Sequence, residues 1–269
     1  SGNSPMRVAS QFNWSGGTLS ATDSNVTTAV SSTLCTNTNH FLIRRTLINQ
    51  GTITWPSGGW YFSDGAIIRN LSGSVIDIQG NNYFGYNVGS VPRFINKGTL
   101  KKTAGTGVTD IQIQSADTNA VIQIQSGTMS FNANSNYINS DFNLSNGKLQ
   151  FNGGIQTLDN QSDITGTGSV FFPGGTITLN GTFIATDSTQ FTGATVNFNK
   201  SVSSFGSKIA ITAGTVNVNT GDSVIVSVIN QSGGTANFNM NDSIIVSTFN
   251  LSGGTLSGNS PMRVASQFN

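Results

Sequence analysis

Two aspartates, Asp222 and Asp242, each precede a serine, and their separation equals the repeat period described below. If the chain repeats with this period, their carboxylates lie one coil apart, at about 4.8 Å. Such a pair could bind Ca²⁺ or act as the acid and nucleophile of a glycosidase. The equivalent position one period further on is Met262, so no third acid joins them. We therefore interpret both as solvated turn residues and predict no catalytic site, no metal, no cofactor and no enzyme.

The single cysteine and the single histidine, Cys35 and His40, lie close together in the sequence and are followed by Arg44 and Arg45. A Cys–His pair can ligate a metal or form a nucleophile with its base. One residue of each kind supplies too few metal ligands, and no acid stands within the motif to orient the histidine. We interpret Cys35 and His40 as structural, and both arginines as residues that face solvent or another chain.

Seven aromatic residues concentrate where the repeat described below is least clear. Exposed rings would suit stacking on sugars or contact between neighbouring filaments. We interpret the rings first as core, or as cover over a widened coil. A contact patch for another filament or for surface glycans is the alternative. The residues are Trp55, Trp60, Tyr61, Phe62, Tyr83, Phe84 and Tyr86.

The composition predicts an all-β protein without a nucleic-acid or membrane partner. Only 9% of the residues are charged, against about 25% in an average soluble domain. All 11 acidic residues are Asp, and the 32 glycines accompany many Ser, Thr and Asn, which favour strands and turns over helices. The net charge is +1, and the sequence has no basic run that could bind nucleic acid. No apolar run is long enough to insert into a membrane.

Three segments, GATVNFNKS, AGTVNVNTG and GGTANFNMN, align without gaps at a period of about 20 residues. Apolar residues alternate with Thr and Asn in each, as in Val196 and Phe198, which indicates a strand with one buried face. Glycine pairs such as Gly233–Gly234 precede the strands and suit tight corners. The recurring polar residues are Thr195, Thr215, Thr235 and Thr255, then Asn197, Asn217 and Asn237, and, in VINQSGGT and TFNLSGGT, Asn230 and Asn250.

Short strands, glycine corners and a fixed period predict a parallel β-solenoid of coils of about 20 residues. We expect right-handed winding, the hand that parallel crossovers prefer. The recurring Asn and Thr should form ladders along the axis, each side chain bonded to its equivalent one coil away. Because the period loosens toward the start of the chain, we expect roughly 11 or 12 coils. Immunoglobulin-like sandwiches, the rival fold, give no reason for identical residues to recur at a fixed period.

The segment SGNSPMRVASQFN occurs twice, at Ser1–Asn13 and again at Ser257–Asn269. The first copy ends in QFN and the chain continues as WSGGT, so that QFNWSGGT matches TFNLSGGT. The second copy would therefore lead into the residues after the first without breaking the period. We predict one tandem repeat unit over residues 1–256 and the start of the next, identical unit at 257–269. The predicted seam residues are Leu256, Ser257, Pro261, Phe268, Asn269, Phe12, Asn13 and Trp14.

The segments FINKGTLKKTAGTGVTDIQI, GKLQFNGGIQTL and GTGSVFFPGGTITLNGTF share a Gly-Thr or Gly-Lys step before alternating apolar residues. In this pattern the chain resembles the β-strand repeats of large bacterial surface exoproteins, including filamentous-haemagglutinin-like adhesins and autotransporter passenger domains. The resemblance covers residues from about Leu47 to Leu256. It implies secretion, display outside the cell or at its surface, and a role in adhesion or fibre building, with no catalytic motif.

These observations lead to three functional hypotheses. The first is a structural unit of a long extracellular fibre, with identical units joined end to end and filaments able to bundle laterally through Asn and Thr. The second is an adhesin stalk that binds surface glycans through the aromatic segment. The third is a β-helical enzyme that cleaves polysaccharide with Asp222 or Asp242.

Overall fold

A computed structural model describes residues 2–36 and 38–269 of the chain. The chain is an all-β parallel solenoid with coils of about 20 residues and about 13 turns, which confirms the predicted fold class. No helix occurs among the described residues. It follows that none of them lies in a helix that could cross a membrane.

The chain divides into two compact units, residues 1–140 and residues 141–269. The first unit consists of strands of four to ten residues that are joined by corners. They are β1 Met6–Trp14, β2 Gly17–Ser20, β3 Thr27–Cys35, β4 His40–Ile43, β5 Thr46–Trp55, β6 Gly59–Ser63, β7 Ile67–Asn70, β8 Val75–Ile78, β9 Tyr83–Val88, β10 Arg93–Asn96, β11 Thr99–Lys102, β12 Val108–Ile111, β13 Gln114–Thr118, β14 Val121–Ile124, β15 Thr128–Phe131 and β16 Ser135–Ile138.

The second unit combines short strands with longer ones that bend around a corner. They are β17 Asp141–Leu144, β18 Lys148–Phe151, β19 Ile155–Leu158, β20 Ile164–Gly166, β21 Ser169–Phe172, β22 Thr176–Leu179, β23 Phe183–Ala185, β24 Ser188–Phe198, β25 Val202–Phe205, β26 Lys208–Val218, β27 Val224–Gln231, β28 Thr235–Phe238, β29 Ile244–Leu251, β30 Thr255–Gly258 and β31 Met262–Phe268.

In the first unit the strands pair in parallel with their equivalents one coil away. One column of register partners runs from Thr46 in β5 through Ile67 and Arg93 to Gln114 in β13. The intervals are unequal, and the longest, from Ile67 to Arg93, contains the excursion after β9. Because only a few coils are lengthened in this way, the solenoid has about 13 turns, slightly more than we expected from the sequence.

From β24 to β30 in the second unit, a constant period sets the register directly. Val196, Val216, Ala236 and Leu256 are successive partners along β24, β26, β28 and β30, and the first three are buried. The asparagine that follows each of these three faces outward. The alternation of apolar and polar residues is therefore the alternation of core and surface.

Aromatic rings fill much of the core in both units. In the first unit Trp55 stacks on Trp60 at 4.8 Å between ring centroids and meets Phe84 edge-on at 4.9 Å. In the second unit Phe172 stacks on Phe151 at 5.9 Å and on Phe191 at 5.1 Å. Offset and edge-on contacts between rings, both within a coil and between coils, add attraction beyond the burial of apolar surface.

Glycines form a corner column in the second unit, at Gly214, Gly234 and Gly254. Each has a positive φ, between 65° and 85°, a region that side chains disfavour. They also stack closely, because a Cβ atom added to Gly234 would lie 2.7 Å from the carbonyl oxygen of Gly214. The glycine pairs in the sequence thus mark corners where the backbone of one coil touches the next.

We predict that Gly234→Ala lowers the free energy of unfolding by about 1–3 kcal/mol, since the change adds both backbone strain and a clash with the coil below. Gly221→Ala is the matched control, because Gly221 lacks a positive φ and a Cβ there would meet no atom within 4 Å. Urea denaturation of the two variants should show a loss only for Gly234→Ala. Equal midpoints would contradict the corner assignment.

Candidate functional site

Asparagine ladders run along the outer face of the second unit. The Asn217 amide donates to Asn197 Oδ1 at 2.7 Å, and the Asn237 amide donates to Asn217 Oδ1 at 2.7 Å. The next residue pair outward, Asn219 and Asn239, is bonded in the same way at 3.3 Å. Beside the first ladder a column of register partners consists of Thr195, Thr215, Thr235 and Thr255.

A second ladder reaches the second copy of the duplicated segment. Asn250 donates to Asn230 Oδ1 at 2.7 Å, and Asn269 donates to Asn250 Oδ1 at 2.6 Å. Asn250, in the middle, uses its amide N–H on one neighbour and its carbonyl oxygen on the other. The chemistry of such a ladder is therefore directional and can extend for as long as asparagine recurs.

The first unit contains a buried ladder that the sequence analysis missed. Asn49 donates to Asn70 Oδ1, and Asn70 donates to Asn96 Oδ1, both at 2.8 Å, and none of the three is exposed to solvent. Asn49 and Asn96 each also accept a hydrogen bond from the N–H of the glycine two residues later. The recurring Asn-x-Gly step is the signal that could have found this ladder.

We predict that Asn70→Ala lowers the free energy of unfolding by about 3 kcal/mol or more, because it removes both ladder hydrogen bonds and leaves a cavity inside the core. Asn217→Ala, the matched change in the half-exposed ladder, should cost about 1 kcal/mol, since water can replace the lost partner. Chemical denaturation measures both variants. Similar losses would contradict the distinction between the buried and the outer ladder.

Asp117 follows Asn96 as the next register partner of the buried ladder. Its carboxyl group is 1% exposed and accepts a hydrogen bond from the Ser115 hydroxyl at 2.6 Å. Burial raises the pKa of Asp117 from 3.8 to about 7, and the bond from Ser115 opposes only part of this rise. The column of register partners thus continues from three amides to a carboxyl group whose pKa burial raises to about 7.

We predict that Asp117→Asn removes a pH dependence of stability. The pKa of Asp117 is higher in the folded chain than in the unfolded chain, so its contribution to stability is complete below pH 3.8 and is lost as the pH rises through about 7. At pH 9 the variant should be more stable than the parent by about 2–4 kcal/mol, and at pH 4 the two should be similar. Parallel pH profiles in urea denaturation would refute this.

The first copy of the duplicated segment is docked on the coil that follows it. Met6, Val8 and Phe12 in β1 pair with Thr28, Val30 and Thr33 in β3. Between Val8 and Gln11 the segment has one residue more than β3, so it bulges there. The inward side chains of Met6 and Val8 are half-buried.

The second copy is docked on the coil that precedes it. Met262, Val264 and Phe268 in β31 pair with Ile244, Val246 and Phe249 in β29, and the bulge lies at the same place, between Val264 and Gln267. The side-chain bond from Gln267 to Asn269, 2.7 Å, also repeats the bond from Gln11 to Asn13, 2.8 Å. The same residues thus adopt the same local structure in two settings.

The other predicted seam residues lie beside these strands. Ser257 is the register partner of Asn237, and the Pro261 carbonyl accepts the N–H of Ile244 at 3.0 Å. The Phe268 ring stacks on Phe249 at 5.4 Å yet remains 59% exposed, and Phe12 stacks on the buried Trp14 at 6.1 Å. Leu256 and Met262 line an open hollow of about 180 Å³ beside the second copy.

Arg45 binds the first copy, which corrects the expectation that it faces solvent or another chain. It is 5% exposed, and its guanidinium donates to the carbonyls of Gly2 at 2.8 Å and Ser4 at 2.9 Å. Its Nε atom donates to the Thr28 hydroxyl at 2.6 Å. Five fixed donors suit a corner where several carbonyls converge. Arg44, by contrast, is exposed and forms an ion pair of 3.0 Å with Asp64.

Four of the seven aromatic residues cannot belong to the contact patch that we kept as an alternative. Trp55, Trp60, Phe62 and Phe84 are at most 1% exposed, because they occupy inward positions of their strands. Tyr61 and Tyr83 occupy outward positions, and Tyr86 is exposed with its hydroxyl donating to the Gly89 carbonyl. The contact-patch interpretation is therefore wrong for the four buried residues.

Three outward rings pack against one another in a column. Phe41 stacks on Tyr61 at 5.3 Å, and Tyr61 contacts Tyr83 at 5.4 Å. The Tyr83 hydroxyl donates to Gln112 at 2.8 Å. A sugar stacks on the face of a ring. Tyr61, in the middle of this column, has a neighbouring ring on each side and exposes mainly its edge.

Cys35 and His40 are buried in the core beside Trp60. Burial raises the pKa of the Cys35 thiol to about 12, so it stays protonated and is a poor nucleophile. His40 bonds through Nε2 to the Trp14 carbonyl at 2.6 Å, and burial lowers its pKa. The neutral imidazole packs edge-on against the Trp14 ring at 4.8 Å between centroids.

Asp222 and Asp242 lie exposed in turns, where Asp242 accepts the N–H of Ser243 at 2.7 Å. Within the described residues, no three His, Cys or Asp side chains are grouped as metal ligands would be.

The buried Lys102 donates to the Gly80 carbonyl at 2.5 Å and the Thr109 hydroxyl at 3.1 Å, and burial lowers its pKa to about 8.

Comparison with protein-family models, with curated proteins and with solved structures gives no match for this chain. The resemblance to bacterial surface exoproteins therefore rests on the residue pattern alone, whereas the β-solenoid and its internal repeats are present in the structure.

Proposed function

We propose that this chain is a repeat unit of a long extracellular β-solenoid fibre, in which residues 257–269 of one unit are also the first residues of the next. The observation that carries the proposal is the docking of the two identical segments. One copy pairs with the coil after it and the other with the coil before it, in the same local structure.

Merging the two copies would give every inward residue of the segment a neighbour on both sides. Val264, equivalent to Val8, would lie between Val246 and Val30, which are both fully buried. Phe268, equivalent to Phe12, would lie between Phe249 and the buried Thr33, with the Trp14 ring beside it on the same strand. The exposed ring and the half-buried valine would then become core residues, a favourable change of about 25 cal/mol for each Å² of apolar surface buried.

The polar groups support the same join. Asn269, equivalent to Asn13, would extend the ladder of Asn230 and Asn250 into the next unit. The carbonyls of Gly258 and Ser260, equivalent to Gly2 and Ser4, would accept hydrogen bonds from Arg45 of that unit. Each unit would thus contribute the arginine that fixes the end of the unit before it.

An extracellular location and lateral bundling complete the proposal. The residue pattern resembles surface exoproteins, and the outer columns of Thr and Asn in the second unit contain no charge that would repel a neighbouring filament. We do not favour a glycan-binding stalk, because four of the seven aromatic residues that suggested it are buried, and the outward Tyr61 ring contacts both Phe41 and Tyr83.

The test is a two-unit chain in which residues 1–256 are followed directly by residues 1–269. We predict a continuous solenoid by cryo-EM, with strands about 4.8 Å apart through the join, because both edges of the shared segment are then paired. A two-unit chain with the thirteen joining residues scrambled is the control and should break there. Two separate particles joined by a flexible segment in the unscrambled chain would refute the proposal.

A further inference from the structure

The two segments are identical in sequence, but each pairs through a different strand edge, so the edges that they use are complementary. In the pairings described above, β1 uses the edge that faces the following coil, and β31 uses the edge that faces the preceding coil. A strand inside the solenoid uses both edges, as β29 does between β27 and β31. An unpaired strand edge readily accepts another chain.

We propose that separate copies of this chain also join without a covalent link, by strand exchange. Residues 257–269 of one copy, still paired with their own β29, take the place of residues 1–13 on β3 of a second copy. This inference rests on the proposed function, because it uses the same seam, and adds that the seam can form between different molecules.

In the exchange, the arriving segment remakes the contacts of the displaced segment and adds new ones. The arriving segment has the sequence of the displaced one, so its pairs with Val30 and Thr33 and its bonds to Arg45 are the same. In addition, the second edge of the segment becomes paired, and the Phe268 ring and the hollow beside Met262 are covered. The gain must exceed the cost of association and of releasing the displaced residues.

The geometry of exchange gives an open chain of molecules. The donor lies on the last coils of one copy and the acceptor on the first coils of the next, so the contact is head to tail and does not close on itself. The shared bulge fixes the alignment, because the segment has one residue more than both β3 and β29 at the same place.

The two copies provide matched variants of the full chain. Val8→Asp places a carboxylate against the buried Val30 and weakens the resident segment, so the intact segment of another copy should replace it. The average mass in solution, measured by light scattering, should be at least about twice that of Val264→Asp, as a head-to-tail chain begins with a dimer. Val264→Asp, the same change in the donor, should be monomeric, and so should the double variant.

A synthetic peptide, SGNSPMRVASQFN, separates exchange from aggregation. Added in excess to Val8→Asp, it should occupy β3 and return the chain to monomers, whereas the peptide with Asp in place of its valine should not. If circular dichroism shows that Val8→Asp loses β-sheet, the milder pair Phe12→Ser and Phe268→Ser replaces it in the same comparison.

Equal behaviour of the matched variants, or polymers that ignore the peptide, would overturn strand exchange. If the two-unit chain is nevertheless continuous across its join, the covalent fibre stands and only the exchange is wrong. If that join is broken as well, the proposed function fails together with the inference.

Discussion

Hydrogen bonds between successive coils determine where every other group in this protein lies. A backbone N–H or C=O buried without a partner is costly, and in a parallel solenoid its partner is on the coil before or after. Each residue is therefore fixed above the equivalent residue of the previous coil, as Val216 is above Val196. Side chains of one kind must then tolerate close contact with their own kind.

Asparagine meets this requirement better than a charged residue does. Its amide donates to one neighbour while its oxygen accepts from the other, so Asn49, Asn70 and Asn96 bond to one another in sequence inside the core. An aspartate in the same column carries a charge when it is ionised, and burial of that charge raises the pKa of Asp117. The low charge of the whole sequence suits a fold in which like residues stack.

The stretch from β24 to β30 was predictable in detail, because its constant period sets the register of residues such as Asn197 and Asn217 without further information. The buried ladder of the first unit was not, since its intervals differ from coil to coil and no single shift aligns the sequence. For the same reason, the sequence did not tell which aromatic residues face inward. Trp60 and Tyr61 are neighbours in β6, and a change of one position exchanges core for surface. The prediction for Arg45 was wrong because a charged side chain is normally exposed. Arg45 is buried because several carbonyl groups converge on it, and these belong to residues far away in the sequence, such as Gly2.

A register that relies on identical columns carries a specific risk, because a strand that slips by one whole coil still meets similar residues. The bulge of the duplicated segment does not prevent such a slip by itself, because the segment bulges on β29, which pairs with β27 without a shift, and β5 also has an extra residue opposite β3. Side chains that differ from coil to coil must supply the discrimination. Arg45 binds the carbonyls of Gly2 and Ser4, whereas its register equivalents on the adjacent coils, Val26 and Ala66, are apolar. A segment that slips by one coil would lose these hydrogen bonds, and that loss discriminates against the wrong partner.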